Sequence, residues 1–153
     1  MIRYLRREQT VTAPLAEVWD FFCDPRNLNA ITPPEMDFRI LTEPLPRMYQ
    51  GQIIEYSVGF MPLIRSRWLT EIAQVRELEY FVDEQRSGPY RLWYHEHHFQ
   101  QTARGVALRD QVTYEVGFGP IGDFLAWAWI DRKLQRIFDY RKQVVAQRFG
   151  DAG

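Results

Sequence analysis

The sequence predicts an α+β domain in which a curved antiparallel sheet of about seven strands wraps around a long C-terminal helix. Three observations support this prediction. From Met36 to about Phe118 apolar residues recur with a period of two, which is typical of strands. The turns between these runs are too short for crossover helices, so neighbouring strands must pair antiparallel. Residues 121–149 contain no Pro and only one Gly, which predicts a final helix of about 28 residues.

The first part of the chain predicts one strand and two short helices. Residues 4–12 alternate and contain β-branched side chains, as a first strand does. Pro14 suits a helix start, and apolar residues at helical spacing predict a helix over about 14–23. A second brief helix is expected over 26–30. Pro33 and Pro34 should end it.

Six further strands are expected before the final helix, and they cover residues 37–41, 52–60, 64–74, 80–85, 92–100 and 106–118. In the final helix the apolar stripe shifts around Asp131. We therefore expect a bend there, or a second surface that covers Trp127 and Trp129.

Length and composition predict one domain over residues 1–153. Aromatic residues make up 15% of the chain, a content high enough that some rings are expected to line a cavity. A formal net charge of −1 gives no basic field, so nucleic acid is not an expected partner. Cys23 is the only cysteine, which predicts a reducing, cytoplasmic setting without disulfides. Residues 1–10 are followed by no apolar h-region, and no run of eighteen apolar residues occurs, so neither export by a signal peptide nor a membrane span is expected.

Several segments resemble a known superfamily. Residues 11–22 (VTAPLAEVWDFF) are similar to its opening pattern, in which a strand leads into an Ala-Pro helix start and a Val-Trp pair. Further similar segments are 28–34 (LNAITPP), Trp68, 88–89 (GP), 93–97 (WYHEH) and 110–114 (DQVTY). In these segments the chain resembles the SRPBCC superfamily, also called START-like or Bet v 1-like, and within it a bacterial subgroup of ligand-binding proteins. The resemblance covers essentially the whole chain. The resemblance implies a helix-grip fold with a cavity between sheet and C-terminal helix.

Strand alternation predicts which side chains face that cavity. His95 and His97 share a face with Trp93, and Asp110 and Tyr114 share the apolar face of the last strand. For residues 52–74 the sequence does not decide which of the two alternating sets of side chains faces the cavity. Burying Trp68 costs less free energy than burying Arg65 and Arg67. The expected ligand-binding residues are Tyr56, Trp68, Phe81, Trp93, His95, His97, Phe99, Leu108, Asp110, Val112, Tyr114, Phe124, Leu134 and Phe138.

Three functions fit this pattern. The first is binding of a small hydrophobic molecule, oriented by the polar residues of the cavity. The second is a polyketide cyclase or dehydrase type of enzyme, which the resemblance also includes. In it His95 or His97 acts as general acid or base, oriented by Asp110, and Tyr114 donates to a substrate carbonyl. The third is an interaction module or homodimer with a filled cavity.

No cofactor is expected, and no metal site is predicted. His95 and His97 stand two residues apart on one strand, and they could ligate an ion only with a third residue such as Asp110. Asp83 shares a face with Phe81 and is expected at the rim of the cavity or in an ion pair.

Overall fold

The computed structural model describes residues 1–43, 47–61, 64–117 and 119–153, with the side chains of these except at 60, 61, 64 and 119–127. Seven strands, two α-helices and two 3₁₀ segments make up this part of the chain. In order they are β1 (Arg3–Val11), α1 (Leu15–Phe22), the 3₁₀ segments (Pro25–Ile31 and Pro34–Met36), β2 (Arg39–Ile40), β3 (Ile53–Met61), β4 (Ile64–Arg76), β5 (Tyr80–Ser87), β6 (Leu92–Thr102), β7 (Gly105–Glu115) and α2 (Gly119–Phe149).

The seven strands of the described residues form one sheet in the order β1-β7-β6-β5-β4-β3-β2, and every pair is antiparallel. Each strand after β1 therefore pairs with its neighbour in sequence, and β1 closes the sheet against β7. This confirms the predicted α+β architecture, in which a curved antiparallel sheet wraps around a C-terminal helix.

The turn between β6 and β7 sets the register of the strands that carry the site. Gly105 has φ +132, a value that side chains rarely adopt, and a Cβ there would overlap the carbonyl oxygen of Val11. With the turn fixed at Thr102 opposite Gly105, His97 lies directly opposite Asp110. The turn thus decides which side chains meet farther along the hairpin.

The brief helix expected over 26–30 is present as a 3₁₀ helix over Pro25–Ile31, with the Asp24 carboxylate accepting a hydrogen bond from Arg26 N at 3.0 Å. One predicted strand differs from the structure. The strand expected over 37–41 shrinks to Arg39–Ile40, because Asp37 has a left-handed backbone with φ 40 and cannot continue an extended strand.

Helix α2 is 31 residues long, about 46 Å at 1.5 Å per residue, and it continues through Asp131. Trp129 exposes 45% of its surface, so the described part of this chain does not cover it, and covering by a partner stays a prediction. The side chain of Trp127 lies outside the described residues. Within the described part of the chain, no helix is long and apolar enough to cross a membrane.

The end of α2 is attached to the sheet by backbone hydrogen bonds. Thr12 N donates to Gly150 O at 3.3 Å, Ala13 N to Phe149 O at 3.0 Å, and Ala152 N to Thr10 O at 3.0 Å. These three bonds join the last turn of α2 and the residues after it to the end of β1.

The buried side chains form three clusters, and they fill the concave side of the sheet at its ends. One cluster packs α1 and the end of α2 against β6 and β7, with Trp19, Phe99 and Val145 among its members. A second packs the middle of α2 against Val112 and Tyr114, and a third lies on β3 and β4. Between these clusters the concave side is not filled, and the cavity described below lies there.

Candidate functional site

A cavity of about 180 Å³ lies between the concave face of β3–β6, α1 with the first 3₁₀ segment, and one face of α2. This volume holds about a dozen water molecules, or a molecule somewhat larger than benzene, which fits a cavity of ~150 Å³. The wall is mainly apolar and aromatic, and Phe22, Leu28, Ile31, Met36, Phe38, Met48, Val58, Ile72, Tyr90 and Ile137 contribute to it.

Four side chains of the sheet and one of α2 form what we call the ionic cluster: Asp83, His95, His97, Asp110 and Arg141. Strand register brings the first four together, because Asp83 is paired with His95 across β5 and β6, and His97 with Asp110 across β6 and β7. Alternation along β6 then puts both imidazoles on the concave face. His95, His97 and Arg141 expose 5%, 6% and 8% of their surfaces, so the cluster is buried.

Hydrogen bonds connect all five members. His97 Nε2 lies 2.7 Å from Asp83 Oδ2, and His95 Nε2 lies 3.0 Å from Asp110 Oδ1. Arg141 Nη2 lies 2.9 Å from Asp110 Oδ1 and 3.1 Å from His97 Nδ1. The cluster is therefore one connected network rather than separate ion pairs.

These contacts assign the imidazole protons. A guanidinium only donates, so His97 Nδ1 accepts from Arg141 and the His97 proton is on Nε2, where it is donated to Asp83. An ionised carboxylate only accepts, so His95 donates its Nε2 proton to Asp110. In this arrangement each imidazole carries a proton on Nε2.

The two imidazole rings also contact one another. Their centroids are 3.7 Å apart, and His97 stacks on Phe81 at 4.1 Å. At this separation a second positive charge is strongly disfavoured, so at most one of the two imidazoles carries a proton on both nitrogens. Burial and the neighbouring His97 lower the pKa of His95 from its ordinary value of 6.5, despite the nearby carboxylates.

Both carboxylates of the ionic cluster are held in the ionised form. Burial acts to raise the pKa of Asp110, but the charge of Arg141 and the hydrogen bonds from His95 and His97 outweigh it and hold that pKa well below 3.8. For Asp83, burial is likewise outweighed by the two imidazoles and Arg141, and its pKa is lowered. The cluster thus has two negative charges and one positive charge when the imidazoles are neutral.

The aromatic wall supplies two further polar atoms. Trp68 packs edge to face on Trp93, with centroids 5.1 Å apart, and its Nε1 is buried without a hydrogen-bond partner among the described residues. Tyr56 lines the same wall, where burial, aided by the charge of Asp83, raises the pKa of its phenol. The Trp68 donor is thus enclosed within the wall, and the Tyr56 phenol is neutral.

Eight of the expected ligand-binding residues line the cavity: Tyr56, Trp68, Phe81, Trp93, His95, His97, Leu134 and Phe138. Trp68, Thr70 and Ile72 all line the cavity, so this alternating set of side chains is the one by which β4 faces it. Arg65 and Arg67 are on the other face, where they pair with Asp37 and Glu55.

Five of the remaining expected residues do not line the cavity. Asp110 faces the concave side but lies behind the two imidazoles. Phe99 and Leu108 pack in the core cluster of α1, and Val112 and Tyr114 in the cluster under α2, because the helices contact the sheet directly at these positions. Tyr114 therefore does not join the ionic cluster, and its pKa is raised by burial and then by Asp131. The side chain of Phe124 lies outside the described residues.

Arg141 was not expected in the site from the sequence, and Asp83 only as a rim or paired residue. Arg141 follows Phe138 by three residues and precedes Val145 by four, so a basic residue in an apolar helical stripe was the available signal. Asp83 was placed correctly on the face of Phe81. Its partner His97 belongs to the next strand, and the pairing depends on register.

The curved sheet, the short helical segments after β1 and the long helix across the sheet together define a helix-grip fold.

Solved structures with this fold align along nearly the whole chain. The Zhui aromatase/cyclase of Streptomyces sp. R1128 has a TM-score of 0.76, with 17% identity over 97% of this chain and 93% of its own. A protein of Thermus thermophilus has a TM-score of 0.72, with 16% identity over 96% of this chain and 97% of its own. Major latex-like protein 151 of Panax ginseng has a TM-score of 0.66, with 9% identity over 97% of each chain. No family model and no curated protein matches the sequence.

Proposed function

We propose that the protein binds a small, mainly apolar molecule of one or two rings, with one polar end, in the cavity between the sheet and α2. The observation that carries this proposal is the cavity itself, about 180 Å³ with an aromatic and aliphatic wall and the ionic cluster on one side. Apolar burial supplies most of the binding free energy, at about 25 cal/mol per Å².

The polar atoms of the wall orient the molecule. His95 and His97 line the cavity beside Asp83. A ligand hydroxyl that hydrogen-bonds to these side chains gains about 0.5–1.5 kcal/mol over an apolar group at the same place. We therefore expect ligands with one oxygen function to bind more tightly than the corresponding hydrocarbons.

The test is a titration with 2-naphthol, followed by the fluorescence of the Trp residues in the wall. We expect saturable binding of one molecule per chain, with Kd on the order of micromolar. Excess ligand at about 100 times Kd should raise the free energy of unfolding by about 2.7 kcal/mol.

A matched pair of variants locates the binding site. Val58 is buried and lines the cavity, so Val58→Phe fills part of the space and should abolish binding. Ile53 is on the same strand and 47% exposed, so Ile53→Phe adds bulk outside the cavity and should bind normally. Equal binding by both variants, or no saturable binding by the folded wild type, would contradict the proposal.

A second candidate function is acid–base catalysis in the same cavity. It is favoured by the 2.7 Å contact between His97 Nε2 and Asp83 Oδ2 at the cavity wall, and by the likeness in fold to a protein named as an aromatase/cyclase. Tyr114 has no part in it, since it lies in the core. Turnover of a poly-carbonyl substrate that is lost in His97→Gln and kept in His98→Gln would support catalysis, whereas binding without turnover supports a carrier.

The third hypothesis, an interaction module, requires a filled cavity, which the open cavity of about 180 Å³ does not favour. A homodimer stays a prediction, and sedimentation at several protein concentrations tests it.

A further inference from the structure

Three donor atoms of the ionic cluster converge on one point at the cavity wall. His95 Nδ1 and His97 Nε2 lie 3.5 Å and 2.7 Å from Asp83 Oδ2, and ligand atoms of the three residues all lie within 4.8 Å of one another. Tetrahedral ligands of an ion such as Zn²⁺ stand about 3.3 Å apart, given bonds of about 2.0–2.2 Å. Coordination of one ion therefore requires the widest of these separations to close by up to about 1.5 Å.

The opposite ring nitrogens both face a single carboxylate. His95 Nε2 and His97 Nδ1 lie 3.0 Å and 3.2 Å from Asp110 Oδ1. Metal-bound imidazoles almost always donate their second N–H to a carboxylate or carbonyl, which fixes the ring and raises its basicity. Arg141 Nη2, 2.9 Å from the same oxygen, compensates the charge of Asp110 from behind.

The charges of the ionic cluster also favour a cation. Two carboxylates and one guanidinium leave an excess negative charge beside an apolar cavity when the imidazoles are neutral. His95 Nδ1 faces Asp83 Oδ2 at 3.5 Å, and a cation placed between these two atoms would attract both.

From this geometry we infer that Asp83, His95 and His97 bind one divalent transition-metal ion, with Asp110 and Arg141 as the groups that orient the two imidazoles. Two imidazole nitrogens and one carboxylate oxygen suit Zn²⁺, Co²⁺ or Ni²⁺ rather than Mg²⁺ or Ca²⁺. All three ligands line the cavity, so at least one coordination position is open to it. This goes beyond ligand binding and replaces the sequence-based expectation of no metal site, in which Asp110 was the only third ligand considered.

Coordination has one consequence for His97. Its Nε2 carries a proton that Asp83 accepts, and this nitrogen is the one that must bind the ion. The proton then moves to Nδ1, where Asp110 Oδ1 at 3.2 Å accepts it. This nitrogen then no longer accepts the hydrogen bond from Arg141 Nη2, which lies 3.1 Å away. His95 already has the required tautomer. Metal binding therefore changes the protonated nitrogen of His97 and leaves that of His95 unchanged.

The experiment uses the full chain without a histidine tag, treated with a chelator and then titrated with CoCl₂ and ZnCl₂. We expect one ion per chain by calorimetry, and visible Co²⁺ absorption bands of a four- or five-coordinate site. His95→Gln and Asp83→Asn should weaken Zn²⁺ binding at least about 100-fold and about 10-fold respectively. His98→Gln is the matched control, because His98 is on the other face of β6, and it should bind as the wild type does.

A measurement on the wild-type protein keeps the inference testable if these variants unfold. Long-range ¹H–¹⁵N correlation spectra of the imidazoles should show Zn²⁺ shifting His95 Nδ1 and His97 Nε2, and the His97 proton moving to Nδ1. Absence of Co²⁺ and Zn²⁺ binding at about 100 times the protein concentration, or equal loss of binding in His98→Gln, would overturn the inference. The 2-naphthol titration is made on metal-free protein, so its outcome is independent of this one.

Discussion

Arg141 is the residue on which the ionic cluster depends for its charge balance. Its guanidinium contacts Asp110 at 2.9 Å and lies over the Phe22 ring, with Cζ 5.0 Å from the centroid. A buried ion pair contributes little net stability compared with apolar packing. Removing one partner is different, because the other charge is then buried without compensation.

We expect Arg141→Met to lower the free energy of unfolding by about 3–5 kcal/mol, because it leaves Asp110 ionised and unpaired in the interior. Arg136→Met on the exposed side of the same helix should change it by less than about 0.5 kcal/mol. Urea unfolding at pH 7 measures both. Equal effects of the two substitutions would show that Arg141 has no special role.

The pH dependence of stability follows from the same residues. The pKa of His95 is lowered by folding, so the unfolded chain binds more protons, and stability should fall as the pH drops below about 6.5. The pKa values of Asp83 and Asp110 are also lowered, so their stabilisation is present above about pH 4 and is lost as the pH falls further.

His95→Gln should therefore flatten the stability profile between about pH 6.5 and pH 5, while the decline below about pH 4 remains. Chemical unfolding at half-unit pH intervals gives the profile. His98→Gln serves as the control, and a slope that is unchanged in His95→Gln would contradict the assignment.

At the residue scale the sequence predicts on which face of the sheet a side chain lies better than it predicts which other side chains it contacts. Alternation alone placed His95, His97 and Asp110 on one side of the sheet, and the structure agrees. It could not show that Arg141, about 30 residues farther along the chain, reaches Asp110. Nor could it show that Tyr114 is covered by α2, because both depend on how the helix lies across the sheet.

Among the elements, the β6–β7 hairpin determines most of the site. Its register pairs His97 with Asp110, and its turn passes close to the end of β1. The sequence predicted this hairpin and its turn from alternation and one Gly. It overestimated β2, where the left-handed backbone of Asp37 prevents a longer extended strand.

Two glycine substitutions separate backbone strain from steric overlap. Gly51 has φ +87, and no atom lies within 4 Å of where a Cβ would stand, so Gly51→Ala should cost about 1 kcal/mol from strain alone. Gly105→Ala adds overlap with the Val11 carbonyl and should cost at least about 2 kcal/mol more. Thermal unfolding of the two variants compares them, and similar costs would show that the turn can relax.

On the scale of the whole molecule, the core clusters and the cavity share the concave side of the sheet. The sequence predicted a hollow under the final helix, but it placed Phe99, Leu108, Val112 and Tyr114 along that hollow, whereas the structure buries them in the packed clusters. Which positions along a strand are covered depends on the helix axes, and alternation carries no information about these.

Cys23 provides a probe of how the packed part opens. It is 3% exposed, and burial raises the pKa of its thiol to about 12. We expect a thiol reagent at pH 8 to label the native protein at least about 100-fold more slowly than the unfolded chain. A rate near that of unfolded protein would mean that α1 detaches from the sheet without global unfolding.

The hydrogen bonds between residues 149–152 and the end of β1 anchor the carboxyl end of α2. If the helix turned about this anchor, Leu134 would move farther than Arg141, because it lies farther from the anchored residues. Such a turn would widen the cavity first on the side away from the anchor, and the charged network near Arg141 would stay assembled.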